Sequence, residues 1–395
     1  MSLIIIESCF KSLRMMNNRI LIFVRGFYPS TRYGGPPVSV MNVAKNVKDY
    51  FDIFIVTTNK EKGESRELSG ITKGWVRYDF GKVKYLNYRR LSNNIISHIM
   101  KDIEPALIYN NSFFDARLNI SLIKISNKQK IPIFIAPRGQ LFESTLKIKK
   151  TKKKMYLFFY NNFLQKKYLT YHATNIEEKK SIIKYLGQKS QTIVLNNLPR
   201  TFKQDIVSSN KRTDSIRIIY FSRIHPKKNL YFAIEVLNEI KKDVEFDIYG
   251  FIEDYQYWSE LTKLIGTLPK NISVNYKGEL PIFNPEKIIM NYDLFFLPTK
   301  SENYGHAIAE ALSIGIPVLI SDQTPWKPDK DHNAVWTIPL NDRGNYVNVI
   351  NELSALDRNQ MLDVKKKALE YAKKHIYSIE NTNYKMAFDN LINRG

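Results

Sequence analysis

The sequence predicts an α/β protein of two domains, each a parallel sheet wound with helices, with the two sheets facing each other across a cleft. Three observations predict it. The chain has 395 residues, of which 44% are hydrophobic, enough for two separate cores. Short apolar runs alternate with segments of helical spacing in two successive series. A polar stretch at 196–215 parts the two series.

The first series opens at residues 19–24 (RILIFV), a short apolar run followed by a turn signal, as in a buried parallel strand. The loop 25–37 holds Gly26, Gly34 and Gly35. Val38, Val40, Met41, Val43, Ala44 and Val47 then recur at roughly helical spacing, and residues 51–57 (FDIFIVT) form a second strand. Strand, glycine loop, helix and strand make a βαβ unit. Runs at 106–109, 131–136 and 171–173 continue it. The second series has strands at 216–221, 245–249, 272–276, 293–297 and 317–320, with a helix at 230–240. Segments 364–374 and 378–391 read as closing helices. The expected division is a leader at 1–18, an N-terminal domain at 19–198, a linker at 199–215, a C-terminal domain at 216–375 and a closing helix at 376–395. The leader is set apart because Met15 and Met16 stand just before the first convincing strand.

Charge narrows the partners. A net charge of +22 favours something polyanionic: nucleic acid, an anionic membrane or phosphorylated substrates. The single cysteine, Cys9, excludes an intramolecular disulfide and a cysteine-built metal site, and fits a reducing compartment. No stretch reaches the roughly 18–20 apolar residues of a membrane span. The first residues lack the basic start and small-residue cleavage site of a signal peptide. A cytoplasmic protein is expected.

Three features converge on phosphate chemistry. Arg223 and Lys228 follow the strand at 216–221, and in an open α/β sheet ligands bind beyond the carboxyl ends of strands. Two cations there offset charge building on a leaving diphosphate; solvated surface charge is the alternative. Second, Glu302-Asn303-Tyr304-Gly305-His306 leads into a helix that contains Glu310. Gly305 lets the chain turn close to a ligand, and the helix start favours a phosphate. Glu302 and Glu310 could accept hydroxyls at either end of that phosphate, or simply stabilise the helix dipole and line a solvated face. Third, Gly34 and Gly35 permit close backbone approach to phosphate or sugar, although a plain turn uses the same residues.

At these residues the chain resembles glycosyltransferase family 4, the retaining enzymes of the GT-B fold. The resemblance runs from Arg19 to nearly the end of the chain. It is carried by Glu302-x7-Glu310, Arg223-x4-Lys228, the GGPP loop at 34–37 and the block LPTKSENYGHAIAEALSIGIPVLISDQTPW. It implies two Rossmann-like domains and a nucleotide-sugar donor, with no cofactor and no catalytic metal. By position, Glu310 would hold the ribose, Glu302 and the backbone of Asn303, Tyr304, Gly305 and His306 the donor sugar, Arg223 and Lys228 the pyrophosphate, and Gly35 the distal phosphate. Glu302, Arg223 and Lys228 would be the catalytic groups. The resemblance points to a hexosyltransferase acting on a lipid-linked saccharide in bacterial O-antigen or capsule synthesis. A GT-B nucleotide-sugar epimerase and a non-catalytic nucleotide-sugar-binding subunit are the alternatives. The family pattern has glycines where this chain has Ser222 and Asn229. Many members carry a histidine in the N-terminal domain, whereas this chain reads Ala136-Pro137-Arg138-Gly139. Arg138 becomes a substrate-contact candidate, with a structural ion pair as the competing reading.

Other features distract. Asp329-Lys330-Asp331 spells the metal–nucleotide motif of a different fold, but sits in a polar segment read as a surface loop. The six histidines show no ligand spacing, so no metal site is expected. His225 beside Pro226 suits a turn or the diphosphate loop. Tyr255, Tyr257 and Trp258 read as helix packing ahead of base stacking. Lys149, Lys150, Lys152, Lys153 and Lys154 precede an aromatic run, with no acid from Lys147 to Lys167. A basic, aromatic segment suits the surface of an anionic membrane, and a core helix with a solvated lysine face is the alternative. No nucleic-acid module is visible. The expectation is a peripheral protein on the inner face of the cytoplasmic membrane.

Overall fold

A computed structural model describes residues 18–30, 32–147, 150–198, 200, 202, 215–281, 284–377 and 382–394. The leader with Cys9, nearly all of the expected linker and Lys149 lie outside the described residues. The chain forms two compact units: Met1–Leu198 with Asn381–Gly395, and Pro199–Glu380.

Unit 1 is an eight-stranded sheet in the order β3-β4-β2-β1-β5-β6-β7-β8. Strand β1 (Arg19–Phe23) lies in the middle, and four of its five residues are buried. That is why it reads as an unbroken apolar run: helices cover both faces, so no position alternates to water. It pairs in parallel with β2 (Asp52–Thr58) and β5 (Leu107–Asn110). Parallel pairing continues through β6 (Ile133–Ile135), β7 (Leu169–Ala173) and β8 (Thr192–Val194). The edge departs from the all-parallel expectation, because β3 (Trp75–Tyr78) runs antiparallel to β4 (Gly81–Leu86). The sequence reading passed over this hairpin for a physical reason. Its strands are half-exposed, and Lys82 and Lys84 interrupt the apolar pattern.

The helices of unit 1 are α1 (Gly35–Val47), α2 (Asn93–Ile103), α3 (Ala116–Gln129), α4 (Glu143–Leu146), α5 (Lys150–Phe163) and α6 (Ile176–Leu186). The other unit carries α7 (Leu230–Leu237), α8 (Tyr255–Ile265), α9 (Glu286–Ile289), α10 (His306–Ser313), α11 (Arg343–Ala355) and α12 (Arg358–Ala372). The last helix, α13 (Thr382–Ile392), belongs to unit 1. Its Tyr384, Phe388 and Leu391 are buried in the unit 1 core, and Phe388 meets the Tyr109 ring at 5.8 Å. Burying one such side chain stabilises by about 1.5–3 kcal/mol.

Unit 2 is a six-stranded parallel sheet in the order β11-β10-β9-β12-β13-β14. Its strands are β9 (Ile216–Phe221), β10 (Val244–Tyr249), β11 (Ile272–Tyr276), β12 (Leu294–Leu297), β13 (Val318–Ser321) and β14 (Val335–Ile338). After β9 the chain winds outward through β10 and β11, then returns to the other side at β12. The carboxyl ends of β9 and β12 therefore flank a topological switch point, where adjacent loops diverge and leave room for a ligand. Unit 1 has the same arrangement between β1 and β5.

Candidate phosphate and sugar site

In unit 2 the loops after β9 and β12 are fastened together. His225 Nδ1 accepts from the Lys227 N–H (3.1 Å) and closes the turn Pro226–Lys228, so His225 serves the turn. The Lys227 carbonyl accepts from the Lys300 N–H (2.8 Å) and from Thr299 Oγ1 (3.1 Å). This brings the Lys228 ammonium against the Glu302 carboxylate, with both side chains 12% exposed. Arg223 donates to Glu253, which stands beyond the end of β10. Both cations thus have carboxylate partners on neighbouring loops.

Two glycines set this geometry. Gly250 donates to the Gly278 carbonyl (2.7 Å), and a Cβ there would stand 1.8 Å from the Ser222 carbonyl oxygen. No side chain fits while the loops after β9, β10 and β11 stay this close. Gly305 adopts φ +81°, and its Cβ would meet Ile308 Cδ1 at 2.8 Å. It turns the chain into α10, whose start has no side-chain cap. Its first N–H groups and the positive end of its dipole lie in the loop that carries Glu302. Trp326 Nε1 donates to the Tyr304 carbonyl, and its ring packs on Tyr304 at 5.4 Å, bracing that loop. Tyr304 also meets His306 edge-on at 4.9 Å. Glu310 lies one turn into α10, with Arg200 at 4.0 Å. Burial pushes the Glu310 carboxyl above its ordinary range, and Arg200 draws it partly back.

Arg223, Lys228, Glu302, Asn303, Tyr304, Gly305 and His306 therefore occupy loops at one switch point, with Glu310 in the helix that follows. The sequence reading missed Glu253, Gly250 and Trp326. A signal for the first two was present, since residues 250–253 follow a strand parallel to β9 and so emerge at the same edge. Trp326 closes the block that carries the resemblance, but its role was not legible there, because its N–H finds its partner 22 residues away.

In unit 1, α1 begins at Gly35 with no side-chain cap and with Pro36 and Pro37 in its first turn. Arg138 has φ +54°, the left-handed region that non-glycine residues rarely adopt. Its guanidinium forms no ion pair among the described residues, which speaks against one of the two expectations for it. Nε and Nη2 donate to Asn111 Oδ1 (3.0 and 2.8 Å), Nη1 to Asn197 Oδ1 (2.5 Å) and Nη2 to Tyr109 OH (2.7 Å).

The segment at 329–331 is a loop with Lys330 and Asp331 exposed, as expected, and only Asp329 departs from a plain surface loop. Asp329 is packed: its carboxylate accepts from His375 Nε2 (2.7 Å) and lies 2.9 Å from the Lys374 ammonium. The His375 hydrogen bond first, with the Asp331 N–H and Lys374, holds the Asp329 carboxyl well below its usual range. Histidines without spacing in sequence thus meet this acid through folding, because the end of α12 returns to it. Asp329, Asp331 and His332 could present ligand atoms to a cation, but Lys374 sits 3.1 Å from Asp331 as well. An ammonium already occupies the cation's place.

The basic helix α5 is two-faced. Tyr160 is fully buried against Phe113, while Met155, Phe158, Phe159 and Phe163 are 71, 65, 43 and 66% exposed. Lys150, Lys152 and Lys154 are exposed, but Lys153 turns inward, donating to the Thr145 carbonyl (2.6 Å) and lying over the Phe114 ring. Lys153 is thereby withdrawn from the expected surface set. In α8, Tyr257 packs as expected and its OH accepts from the Tyr231 N–H (2.8 Å), whereas Tyr255 is 72% exposed. No helix among the described residues is long and apolar enough to cross a membrane.

Comparison with known proteins agrees with this architecture. No curated protein matches the sequence. HepE of Anabaena, solved with UDP-glucose, superposes with a TM-score of 0.68 at 16% identity, over 94% of this chain and 99% of that one. Sucrose-phosphate synthase of Thermosynechococcus elongatus gives 0.73 at 11% identity, over 96 and 100%. WaaG, a glycosyltransferase involved in lipopolysaccharide biosynthesis, gives 0.64 at 13% identity, over 94 and 99%. At these identities the likeness establishes the fold. The chain has the GT-B fold of these glycosyltransferases, and its residues 201–374 match the family of group 1 glycosyl transferases.

Proposed function

We propose that the protein is a retaining glycosyltransferase that moves a hexose or N-acetylhexosamine from a nucleotide-sugar to a saccharide acceptor. The observation that carries this reading is the contact of Lys228 with Glu302 at the switch point of unit 2, beside the uncapped start of α10. A donor diphosphate there meets Arg223, Lys228 and helix N–H groups, which offset the charge that develops as the bond from the anomeric carbon to the phosphate oxygen breaks. The acceptor oxygen bonds to that carbon from the same face, and its proton passes to the departing phosphate. Once Lys228 turns to phosphate, Glu302 is released to accept from a sugar hydroxyl. Glu310 accepts from the ribose. In this reading protein cations do the work that a metal would otherwise do, and no cofactor enters.

The acceptor in this reading is lipid-linked, as in bacterial surface-polysaccharide synthesis, and the protein acts peripherally at the inner face of the cytoplasmic membrane. The support is α5. Met155, Phe158, Phe159 and Phe163 make an exposed apolar stripe at helical spacing, flanked by Lys150, Lys152 and Lys154, which suits insertion into an anionic bilayer. Thermal-shift screening of UDP-, GDP- and ADP-sugars, followed by donor turnover with and without saccharide acceptors, tests the reaction. Release of nucleotide that needs Glu302 supports it; full transfer by Glu302→Gln sinks it. Conversion of free UDP-GlcNAc to an epimer without acceptor would favour the epimerase. Flotation with phosphatidylglycerol vesicles at low and high salt tests the membrane reading, which fails if no protein floats at low salt.

A further inference from the structure

We propose that unit 1 carries an anion site of its own, built on Arg138 and Asn111, which takes a phosphate group. This deepens the sugar-side role of Arg138 and goes beyond the donor reading, which rests on unit 2.

The site lies at the switch point of unit 1. Asn111 follows β5 and donates its N–H to the Phe23 carbonyl at the end of β1 (2.9 Å), and Arg138 follows β6. Four of the five guanidinium N–H groups of Arg138 are taken, by Asn111 twice, Asn197 and Tyr109. Every one of these acceptors is neutral. The network then runs away from the charge. His172 Nε2 faces the Leu195 carbonyl (2.8 Å), which only accepts, so the proton lies on Nε2. His172 Nδ1 must therefore accept from Tyr109 OH (2.7 Å), and that hydroxyl's lone pairs are left for Arg138. Aligned dipoles hold the cation without cancelling it.

No carboxylate among the described residues pairs with Arg138. The acid that touches its loop, Glu178, accepts from the Gly139 N–H with one oxygen, and from the N–H and hydroxyl of Thr174 with the other. Arg223 and Lys228 of unit 2 each have an acid; Arg138 has none among the described residues, although a carboxylate is the strongest partner for a guanidinium. Two donors are left over. One is the second N–H on Arg138 Nη1. The other is Asn111 Nδ2, buried and without a partner among the described residues, on a residue 4% exposed. The orientation of that amide is decided, because the guanidinium requires the oxygen on its own side. A fixed cation with spare donors at the carboxyl edge of a sheet is the arrangement that phosphate oxygens complete. Asn197 Oδ1 also accepts from Ser39 in the first turns of α1 (3.1 Å), which ties the GGPP helix to the same cluster.

The phosphate could be the donor's or the acceptor's, and one substitution separates the site from either source. Asn111→Asp places a carboxylate on the guanidinium while giving up only the unpartnered amide. The cation is then neutralised in place and the fold is kept or stabilised. Inorganic pyrophosphate binding is measured by calorimetry at low salt in a Lys228→Ala background, so that unit 2 does not dominate. Adding Asn111→Asp should weaken it by about tenfold or more, with no fall in Tm. Arg138→Gln, measured in the same way, provides a second reading. Unchanged pyrophosphate binding in both variants overturns the proposal, and a rise in Tm alone would mark Arg138 as purely structural. In the chain with Lys228 intact, Asn111→Asp weakening UDP assigns the site to the donor's distal phosphate. Weaker glucose 1-phosphate with unchanged UDP assigns it to a phosphorylated acceptor. Separately, UDP binding unaffected by Lys228→Ala would sink the donor reading and leave this site standing.

Discussion

Arg138 of unit 1 is held in the opposite way to Arg223 and Lys228 of unit 2. In unit 2, Arg223 and Lys228 each lean on a carboxylate, Glu253 and Glu302, so both cations are paired before any ligand arrives. In unit 1, Arg138 is held by two asparagines and a tyrosine and keeps its charge. A balanced pair lets an arriving anion exchange partners, because the displaced carboxylate becomes free to accept from a hydroxyl. An unbalanced cation has no partner to give up and simply attracts. Similar sheets thus present cations of different character, and the neighbouring loops decide which.

The largest effect should come from breaking the balanced pair. Lys228→Ala removes transition-state charge stabilisation and leaves Glu302 without its cation; transfer should fall by about 10²–10³-fold in kcat. Steady-state kinetics check this, and a rise in KM with kcat unchanged would mean that Lys228 only binds. Next is the close approach of the loops. Gly250→Ala drives a methyl into the Ser222 carbonyl and should destabilise unit 2 by about 2–4 kcal/mol, read as a lower denaturant midpoint with weakened UDP binding. Glu310 sharpens the comparison through pH. Burial raises its folded pKa, so the folded state keeps the proton to higher pH than the unfolded chain does. Stability contributed by this group falls as pH rises from the ordinary carboxylate range through the raised value, then levels off. Glu310→Gln should remove that fall and leave Tm at neutral pH no lower than in the native chain. UDP should bind about tenfold weaker, as expected for one lost hydrogen bond to a charged group. The smallest effect is expected away from both poles. Lys154→Gln on α5 should weaken vesicle binding by about 1 kcal/mol, an effect that vanishes at high salt.

Much of the scaffold was legible. Strands β1, β9 and β12 announce themselves as short apolar runs because each is buried on both faces. The cations at 223 and 228 and the turn at Gly305 were visible through their place after those strands. The half-exposed edge of unit 1 was not. The β3–β4 hairpin alternates with lysines, and its pairing depends on the neighbouring β2. The surface set on α5 needed correction at Lys153, since its amine reaches back to Thr145, a contact that no hydropathy pattern records.

Local chemistry alone determined the two parallel sheets, the glycine turns and the residue types available for binding phosphate, because buried strands and tight turns are dictated by neighbours in the chain. Partnership was decided in three dimensions. Glu302 meets a lysine 74 positions away, His375 reaches Asp329, α13 returns to the first unit, and Arg138, read as a substrate contact or an ion pair, finds amides and a tyrosine hydroxyl. Such contacts join loops from distant strands at a shared edge. Their energetics depend on which groups the folded sheets bring within hydrogen-bond reach.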